Sequence, residues 1–199
     1  MAESAEELRY SPGMEIRAMS VADLDDAREI DAVIESGEYL HIDRAGEGFA
    51  TSWKIQPRAL REKRVHRHIL TDEQIFTIKQ IASGADEGIA LVAEHEGRIV
   101  AAATAQPDEA AKVYRLLDIR VDSDFRRQGL AQGMMFQIIH QAREKEMRAV
   151  MAGVPADNFP ALEFLAKLGF EAGGLDTHFH SNHDLVKESV MMFWYLVLV

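Results

Sequence analysis

The chain has 199 residues, of which 47% are hydrophobic and 28% charged, a formal net charge of -11 at pH 7, and no cysteine. This length suits one folded domain. The acidic surplus argues against a nucleic-acid partner, because phosphate binding needs a basic face. It favours a cationic partner, although an acidic surplus can also serve solubility alone. The lack of cysteine excludes a disulfide framework, a thiolate metal site and an acyl-cysteine intermediate.

We expect neither a signal peptide over residues 2–13 nor a membrane span over 190–199. Residues 2–13 are acidic and lack the basic-then-apolar order of a signal peptide. The apolar run over 190–199 has half the length of a membrane span. We therefore expect a cytoplasmic protein without a membrane partner, with a flexible tail over 1–13 and a single domain over 14–199.

A strand and a helix are predicted at the start of the chain. Residues 14–18 have strand character, and Ser20 with Asp23 has the spacing of a capping box. Apolar residues then recur at helical spacing as far as Ile34. Gly37 can take the left-handed conformation that ends a helix, so the pattern predicts a helix up to this glycine.

A hairpin and a second helix are predicted next. Residues 39–43 and 49–55 look extended on either side of a glycine-rich turn at 45–48, which indicates a hairpin. Thr71 with Gln74 repeats the capping-box spacing, and the helix that follows is ended by Ser83 and Gly84.

In the second half of the chain, apolar segments alternate between the period of a strand and that of a helix. The predicted segments are strands over 89–93, 99–105, 113–121, 148–154 and 190–198, a helix from Gly129 and a helix over 159–168. The first three strands follow one another through short turns, which favours an antiparallel meander.

The stretch from Asp118 to Ala131 passes from a strand into the start of a helix. The first turn of a helix leaves backbone N–H groups unpaired and carries the positive end of the dipole, so an anion is stabilised there. Gly129 and Ala131 allow close approach to that backbone. Arg126 and Arg127 add positive charge in an otherwise acidic chain. An ordinary strand-to-helix corner is the alternative interpretation.

Two motifs carry a family resemblance. Arg126-Arg127-Gln128-Gly129-Leu130-Ala131 fits the pattern Gln or Arg, two residues, Gly, one residue, Gly or Ala, and Asn158 precedes a short helix that ends in Gly169-Phe170. With both motifs at this spacing, the sequence resembles the GNAT acetyltransferases, in which the first motif binds pyrophosphate. Further matching pieces resemble the streptothricin acetyltransferases within that family. They are Gly48-Phe49, Asp118-Ile119-Arg120-Val121, Asp176-Thr177 and Phe193-Trp194-Tyr195.

The resemblance implies the acyl-CoA N-acyltransferase fold, an α+β fold of three layers with helices on both faces of a mixed, mostly antiparallel sheet. The sheet would splay open between the strands over 113–121 and 148–154, with acetyl-CoA as cosubstrate and its pantetheine in the gap. The backbone of Ile119 and Val121 would pair with the pantetheine, and a strand N–H near Ile119 would meet the oxyanion. The full predicted cofactor-binding set is Ile119, Arg120, Val121, Arg126, Arg127, Gln128, Gly129, Leu130, Ala131 and Asn158.

Direct transfer needs a neutral amine, and removing the proton of an alkyl ammonium at pH 7 costs roughly 4.6 kcal/mol. Asp118 is the predicted base, acting directly or through a water, and the alternative is a solvated Asp or one that forms an ion pair with Arg120. Many relatives carry a Tyr four residues before the Gly of Gly-Phe, and this Tyr protonates the departing sulfur. This chain has Leu165 at that position. Tyr195 is the predicted replacement, with Tyr114 as a second candidate and a core role as the alternative.

Two groups of basic or metal-ligating side chains remain. His178, His180 and His183 form a His-x-His-x-x-His run, for which surface histidines are favoured over a metal site, so no metal is expected. The second group is either a solvated face or a contact for the cofactor's phosphates. Its members are Arg61, Lys63, Arg64, His66, Arg67 and His68.

The sequence thus predicts an acetyl-CoA-dependent N-acetyltransferase that acts on a small cationic amine, such as a streptothricin-type antibiotic or a polyamine. One alternative is a CoA-binding sensor or interaction module without catalysis, motivated by Leu165. Another is a protein N-acetyltransferase with residues 39–55 as a docking rim. That region belongs either to the site or to a dimer contact, and a homodimer is left open.

Overall fold

A computed structural model describes residues 13–198, which fall into two compact units. The first unit runs to Ala32 and resumes with His68–Arg148; the second comprises Val33–Arg67 and the chain from Ala149. Apart from Gly13, the predicted tail lies outside the described residues. A single domain over 14–199 stays a prediction.

Nine strands, four α-helices and two short 3₁₀-helices, Val21–Asp23 and Ser123–Phe125, make up the regular structure of residues 13–198. The strands are β1 (Met14–Ala18), β2 (Ile34–Ala45), β3 (Ser52–His66), β4 (Ile89–His95), β5 (Arg98–Asp108), β6 (Val113–Val121), β7 (Ala149–Pro155), β8 (Glu171–Asp176) and β9 (Met191–Val197). The helices are α1 (Leu24–Arg28), α2 (Asp72–Ala82), α3 (Leu130–Glu144) and α4 (Phe159–Lys167). None of these helices is long and apolar enough to cross a bilayer.

In the first unit the strands lie in the order β1-β4-β5-β6, and each neighbouring pair is antiparallel. The predicted meander of three strands is therefore confirmed. Residues 99–105 of β5 are buried without interruption, as expected for a strand that packs on both faces. Helices α1 and α3 contact this strand, so the core of the unit forms around it.

The first predicted helix is wrong in its extent. The capping box of Ser20 and Asp23 is present, but α1 ends at Arg28 and Ile34 already belongs to β2. Ile30 is buried although it lies beyond the helix. The spacing of apolar residues indicates which side chains are buried, and here buried side chains continue beyond the end of the helix. Gly37 lies at a register shift in the pairing of β2 with β3 rather than at a helix end.

The second unit contains a long hairpin and a three-stranded sheet. The predicted hairpin is confirmed, but β3 continues to His66 in register with Ile34. Strands β7, β9 and β8 lie in that order and pair antiparallel. Strand β8 has no counterpart in the sequence analysis, because Gly173 and Gly174 weaken its strand signal. Its pairing with β9 is a tertiary contact that no local pattern reports.

Candidate active site

The loop between β6 and α3 reverses direction through two left-handed residues. Arg127 has φ 60° and Gly129 has φ 84°. A non-glycine residue at this conformation is uncommon, and alternating backbone conformations of this kind make concave sites that bind anions through N–H groups. Gly129 is the N-cap of α3, a helix of 15 residues. The loop therefore places backbone amides at the positive end of a helix dipole.

The helix start has the features that a diphosphate requires. Among the described residues, no acidic residue lies in the first turn of α3, and its N-cap, Gly129, has no side chain that could occupy the free N–H groups. An added Cβ at this glycine would meet no protein atom within 4 Å, so a ligand can approach the backbone. Arg126 is tied to the loop because its Nε donates to the Val121 carbonyl at 3.2 Å. The residues present thus fit the pyrophosphate of acetyl-CoA, and their individual roles stay predictions.

Asp122 anchors the beginning of this loop and was missed by the sequence analysis. Its carboxylate is buried, accepts from the backbone N–H of Asp124 at 3.1 Å, and accepts from Arg98 at 2.5 Å. Arg98 belongs to β5, so the ion pair ties the loop to the sheet. The spacing of Asp122 and Asp124 is a local turn signal, whereas the pairing with Arg98 depends on the strand register.

Asp118 and Arg120 form a buried ion pair on one face of β6. Each residue is 5% exposed, and the Nε and Nη2 atoms of Arg120 donate to the two oxygens of Asp118, both at 2.8 Å. Arg120 also donates to the carbonyl of His68 at 3.2 Å, and the Nδ1 of His68 lies 3.7 Å from Asp118 Oδ1. The ion pair named as the alternative for Asp118 is thus present. The guanidinium of Arg120 is thus engaged by Asp118 and His68, and a cofactor contact of Arg120 stays a prediction.

A β-bulge lies directly before this ion pair. Thr104 pairs with Asp118 and Ala105 with Leu116, so Leu117 has no residue opposite it on β5. A bulge turns backbone groups out of the ladder and is frequent beside active sites. The oxyanion donor predicted near Ile119 therefore has a structural candidate two residues earlier, in the Leu117 N–H. No side-chain pattern marks this position.

Asn158 and the basic cluster belong to the second unit, except for His68. Asn158 is buried and caps α4, where its Oδ1 accepts from the N–H of Ala161 at 3.4 Å. Arg64 donates to the buried carboxylate of Asp157 at 2.6 Å, and His66 Nε2 lies 3.1 Å from the Asp157 carbonyl. Arg64 and His66 therefore have partners inside their own unit, which neither proposed role of the cluster anticipated.

Of the two tyrosines considered as proton donors, Tyr114 lies in the interior, whereas Tyr195 is partly exposed. Leu165 is 2% exposed. Tyr114 is fully buried, and among residues 13–198 its hydroxyl has no hydrogen-bond partner. Burial raises its pKa to about 12, which makes it a poor acid. Tyr195 lies on β9 opposite Glu171, and its ring fills the position that a side chain on Gly173 would take. The acid role of Tyr195 stays a prediction.

The histidine run lies in a loop before β9. Thr177 contacts His178 Nδ1 at 2.9 Å, and the backbone N–H of His180 donates to Asp184. Across residues 13–198, no group of three or more His, Cys, Asp or Glu side chains is arranged to hold a metal ion.

The profile of the acetyltransferase (GNAT) family matches residues 52–170, which is more than half of the chain. The chain therefore belongs to the GNAT family and is an acetyl-CoA-dependent N-acetyltransferase. The predicted fold class, α+β with a mixed, mostly antiparallel sheet, is confirmed; the splay between the two named strands stays a prediction.

Solved structures of the same fold span nearly the whole chain. A nourseothricin acetyltransferase matches with a TM-score of 0.74 and 15% identity over 93% of this chain and 98% of that one. A candidate streptothricin acetyltransferase from Bacillus anthracis str. Ames, in complex with acetyl coenzyme A, matches with a TM-score of 0.71 and 20% identity over 94% of this chain and 98% of that one. The ribosomal-protein-S18-alanine N-acetyltransferase from Escherichia coli matches with a TM-score of 0.63 and 16% identity over 92% of this chain and 93% of that one. No curated protein matches the sequence.

Proposed function

We propose that the protein transfers the acetyl group of acetyl-CoA directly to an amine of a small cationic acceptor, of the streptothricin or polyamine kind. The observation that carries this proposal is the contrast in charge between the loop over 126–131, which has two arginines, and a chain with a net charge of -11. An anionic donor suits the loop, and a cationic acceptor suits the rest. Similarity to two antibiotic acetyltransferases over more than nine tenths of this chain supports the acceptor class. The cytoplasmic location expected from the sequence is part of this proposal.

On the donor side, acetyl-CoA supplies an activated acetyl thioester. We assign the backbone amides of residues 127–131 to its pyrophosphate, with Arg126 and Arg127 as counter-charges. The strand backbone at Ile119 and Val121 is assigned to the pantetheine, Asn158 to a contact farther along, and the Leu117 N–H to the carbonyl oxygen. A buried ion pair beside the bulge keeps this part of β6 in one conformation.

The transfer forms a bond between the amine nitrogen and the acetyl carbon and breaks the bond from that carbon to sulfur. Starting from the ammonium, two protons leave the nitrogen: the first is removed before the attack and passes to solvent, and the second leaves as the amide forms and is balanced by the proton that the CoA thiolate takes up. We assign the first step to Asp118, whose carboxylate is oriented by Arg120 and has His68 at 3.7 Å. A thiol with a pKa of about 8.5 can leave as thiolate at pH 7 for at most about 2 kcal/mol, so the absence of a Tyr at Leu165 is compatible with turnover.

The test is to mix the protein with acetyl-CoA and nourseothricin, spermidine, n-butylamine or a peptide with a free amino terminus. Free thiol reports turnover, and mass spectrometry of the acceptor shows whether one acetyl group was added. We expect the release of free thiol to depend on the presence of a cationic small molecule. Tight CoA binding without release for any acceptor would favour the inactive CoA-binding module, and acetylation of the peptide alone would favour the protein N-acetyltransferase.

A further inference from the structure

The proposed reaction leaves one proton that has to reach solvent. This proton leaves the acceptor ammonium before the attack, and its removal is assigned to Asp118. The side chain of Asp118 is only 4% exposed, so water has little access to its oxygens. A neighbouring guanidinium favours the ionised form of a carboxyl group, so Asp118 gives up the proton again readily. The proton therefore needs an acceptor close to Asp118.

Two side chains pair with Asp118 among residues 13–198. The Nε and Nη2 atoms of Arg120 donate to its two oxygens, both at 2.8 Å, and the Nδ1 of His68 lies 3.7 Å from Oδ1. A guanidinium stays protonated in proteins and has no acceptor atom, so Arg120 cannot take the proton. An imidazole takes up and releases a proton near neutral pH. Of the two partners, His68 is the one that can receive the proton of Asp118.

The imidazole of His68 connects the buried carboxylate with the surface. The side chain of His68 is 36% exposed, whereas that of Asp118 is 4% exposed. The separation of 3.7 Å is slightly longer than a hydrogen bond, and a small rotation of the ring closes it. Contacts of this kind are often long in a free enzyme and shorten when the substrate binds. One ring nitrogen of His68 thus lies beside the buried acid while part of the same side chain is in water.

Arg120 fixes the position of His68 as well as that of Asp118. Its Nη2 donates to the carbonyl of His68 at 3.2 Å. The φ of His68 is 49°, in the left-handed region. This conformation is uncommon for a residue other than glycine, and residues held in it are concentrated at functional sites. All three residues belong to the first unit, so their arrangement is given by that unit alone.

We propose that His68 passes the proton of the acceptor ammonium from Asp118 to solvent. This inference rests on the proposed function. An N–H bond of the ammonium breaks, its electron pair stays on the nitrogen, and the proton goes to Asp118. Asp118 then protonates the Nδ1 of His68, the Nε2 of His68 releases a proton to water, and exchange with water restores the starting tautomer. Both side chains end the turnover in the protonation state in which they began it.

Substitution of His68 tests this relay. Asparagine tolerates the left-handed backbone and cannot carry a proton at neutral pH. With the amines named above and saturating acetyl-CoA, we expect kcat/KM of His68→Asn to fall about 100-fold, as for loss of a proton-transfer group, and the Kd for CoA to stay within about twofold by calorimetry. His140→Asn is the matched control, because it removes an exposed histidine from α3 of the same unit, and it should keep its activity.

Imidazole added to the assay separates a relay from a structural role. A free imidazole can occupy the space left by the side chain and accept the proton of Asp118, so the activity of His68→Asn should rise with the imidazole concentration. The wild type and His140→Asn should not respond. His68→Gly is a second variant, because glycine also adopts a φ of 49° without strain, and it should be rescued in the same way.

The outcomes distinguish the relay from the proposed function. Equal kcat/KM in His68→Asn and His140→Asn would overturn the relay and leave the function standing. A loss of activity that imidazole restores in neither His68 variant would also overturn the relay, because His68 would then act through the structure alone. A wild type that binds CoA but releases no thiol with any amine would overturn the proposed function, and the relay with it.

Discussion

The two compact units build their concave surfaces in different ways. In the first unit, the proposed diphosphate site is made by consecutive residues, with left-handed backbone at Arg127 and Gly129 before one helix. In the second unit, a cavity of about 520 Å³ combines Trp53 with Asp176, from strands far apart in the chain. Backbone amides have the same geometry whatever their side chains, so a short motif is enough to specify them. The wall of a cavity needs side chains that only folding brings together.

This contrast predicts that substitutions in the first unit change donor binding and chemistry for every acceptor, whereas those around the cavity change the local packing of the second unit. Asp118 should give the largest effect. Asp118→Asn removes the proposed base and should lower kcat/KM by roughly 10²–10⁴-fold for all amines, measured by thiol release. Asp108→Asn, which breaks the pair with Arg115 in the same unit, should keep its activity. A decrease of less than about tenfold in Asp118→Asn would leave Asp118 with the ion-pair role alone.

The second largest effect is expected at Gly129. In Gly129→Ala the methyl group would enter the space assigned to the diphosphate, and the Kd for CoA should rise about 10- to 100-fold by calorimetry. Gly84→Ala is the control, because Gly84 also has a left-handed φ of 77° and open space around its Cβ. Both substitutions impose the same backbone strain. Equal CoA affinity in the two variants would contradict a diphosphate site at Gly129.

In the second unit, Gly173→Ala should destabilise the fold without changing the affinity for CoA. The new Cβ would lie 2.5 Å from the Tyr195 ring, and overpacking of this kind costs about 1–3 kcal/mol of unfolding free energy. Gly174→Ala should be close to neutral, since its nearest contact is at 4.0 Å. Urea denaturation measures both. Identical midpoints would mean that the Tyr195 ring does not pack against β8 at Gly173.

The smallest effect concerns stability alone. Hydrogen bonds from Arg17 hold the pKa of Asp23 well below its ordinary value. The resulting stabilisation is complete above the unfolded pKa of about 3.9 and is lost as the pH falls through the lower folded value. Asp23→Asn should therefore cost about 1 kcal/mol at pH 7, and this difference from the wild type should shrink in strong acid. Asp25→Asn, in an exposed pair with Arg28, should show no such trend in denaturation at several pH values.

Much of the first unit could be predicted from local patterns. The meander from Ile89 to Val121 follows from runs of apolar residues, and the helix beginning after Gly129 follows from the change of the apolar spacing to that of a helix. The helix predicted beyond Arg28 failed because its spacing signalled burial rather than helix. In the second unit, β8 was not predicted because its two glycines carry no strand preference.

By itself, the sequence determined the family, the donor and the loop that is expected to bind it, because a helix start with the right glycine and arginines is a local property of the chain. Only the tertiary structure decided the surroundings of the side chains. It placed Arg120 on both oxygens of Asp118, Leu117 in a bulge, and Asp176 in one cavity with Trp53. The physical reason is that partners, burial and cavities depend on strand register and packing between distant segments, which no short stretch of sequence contains.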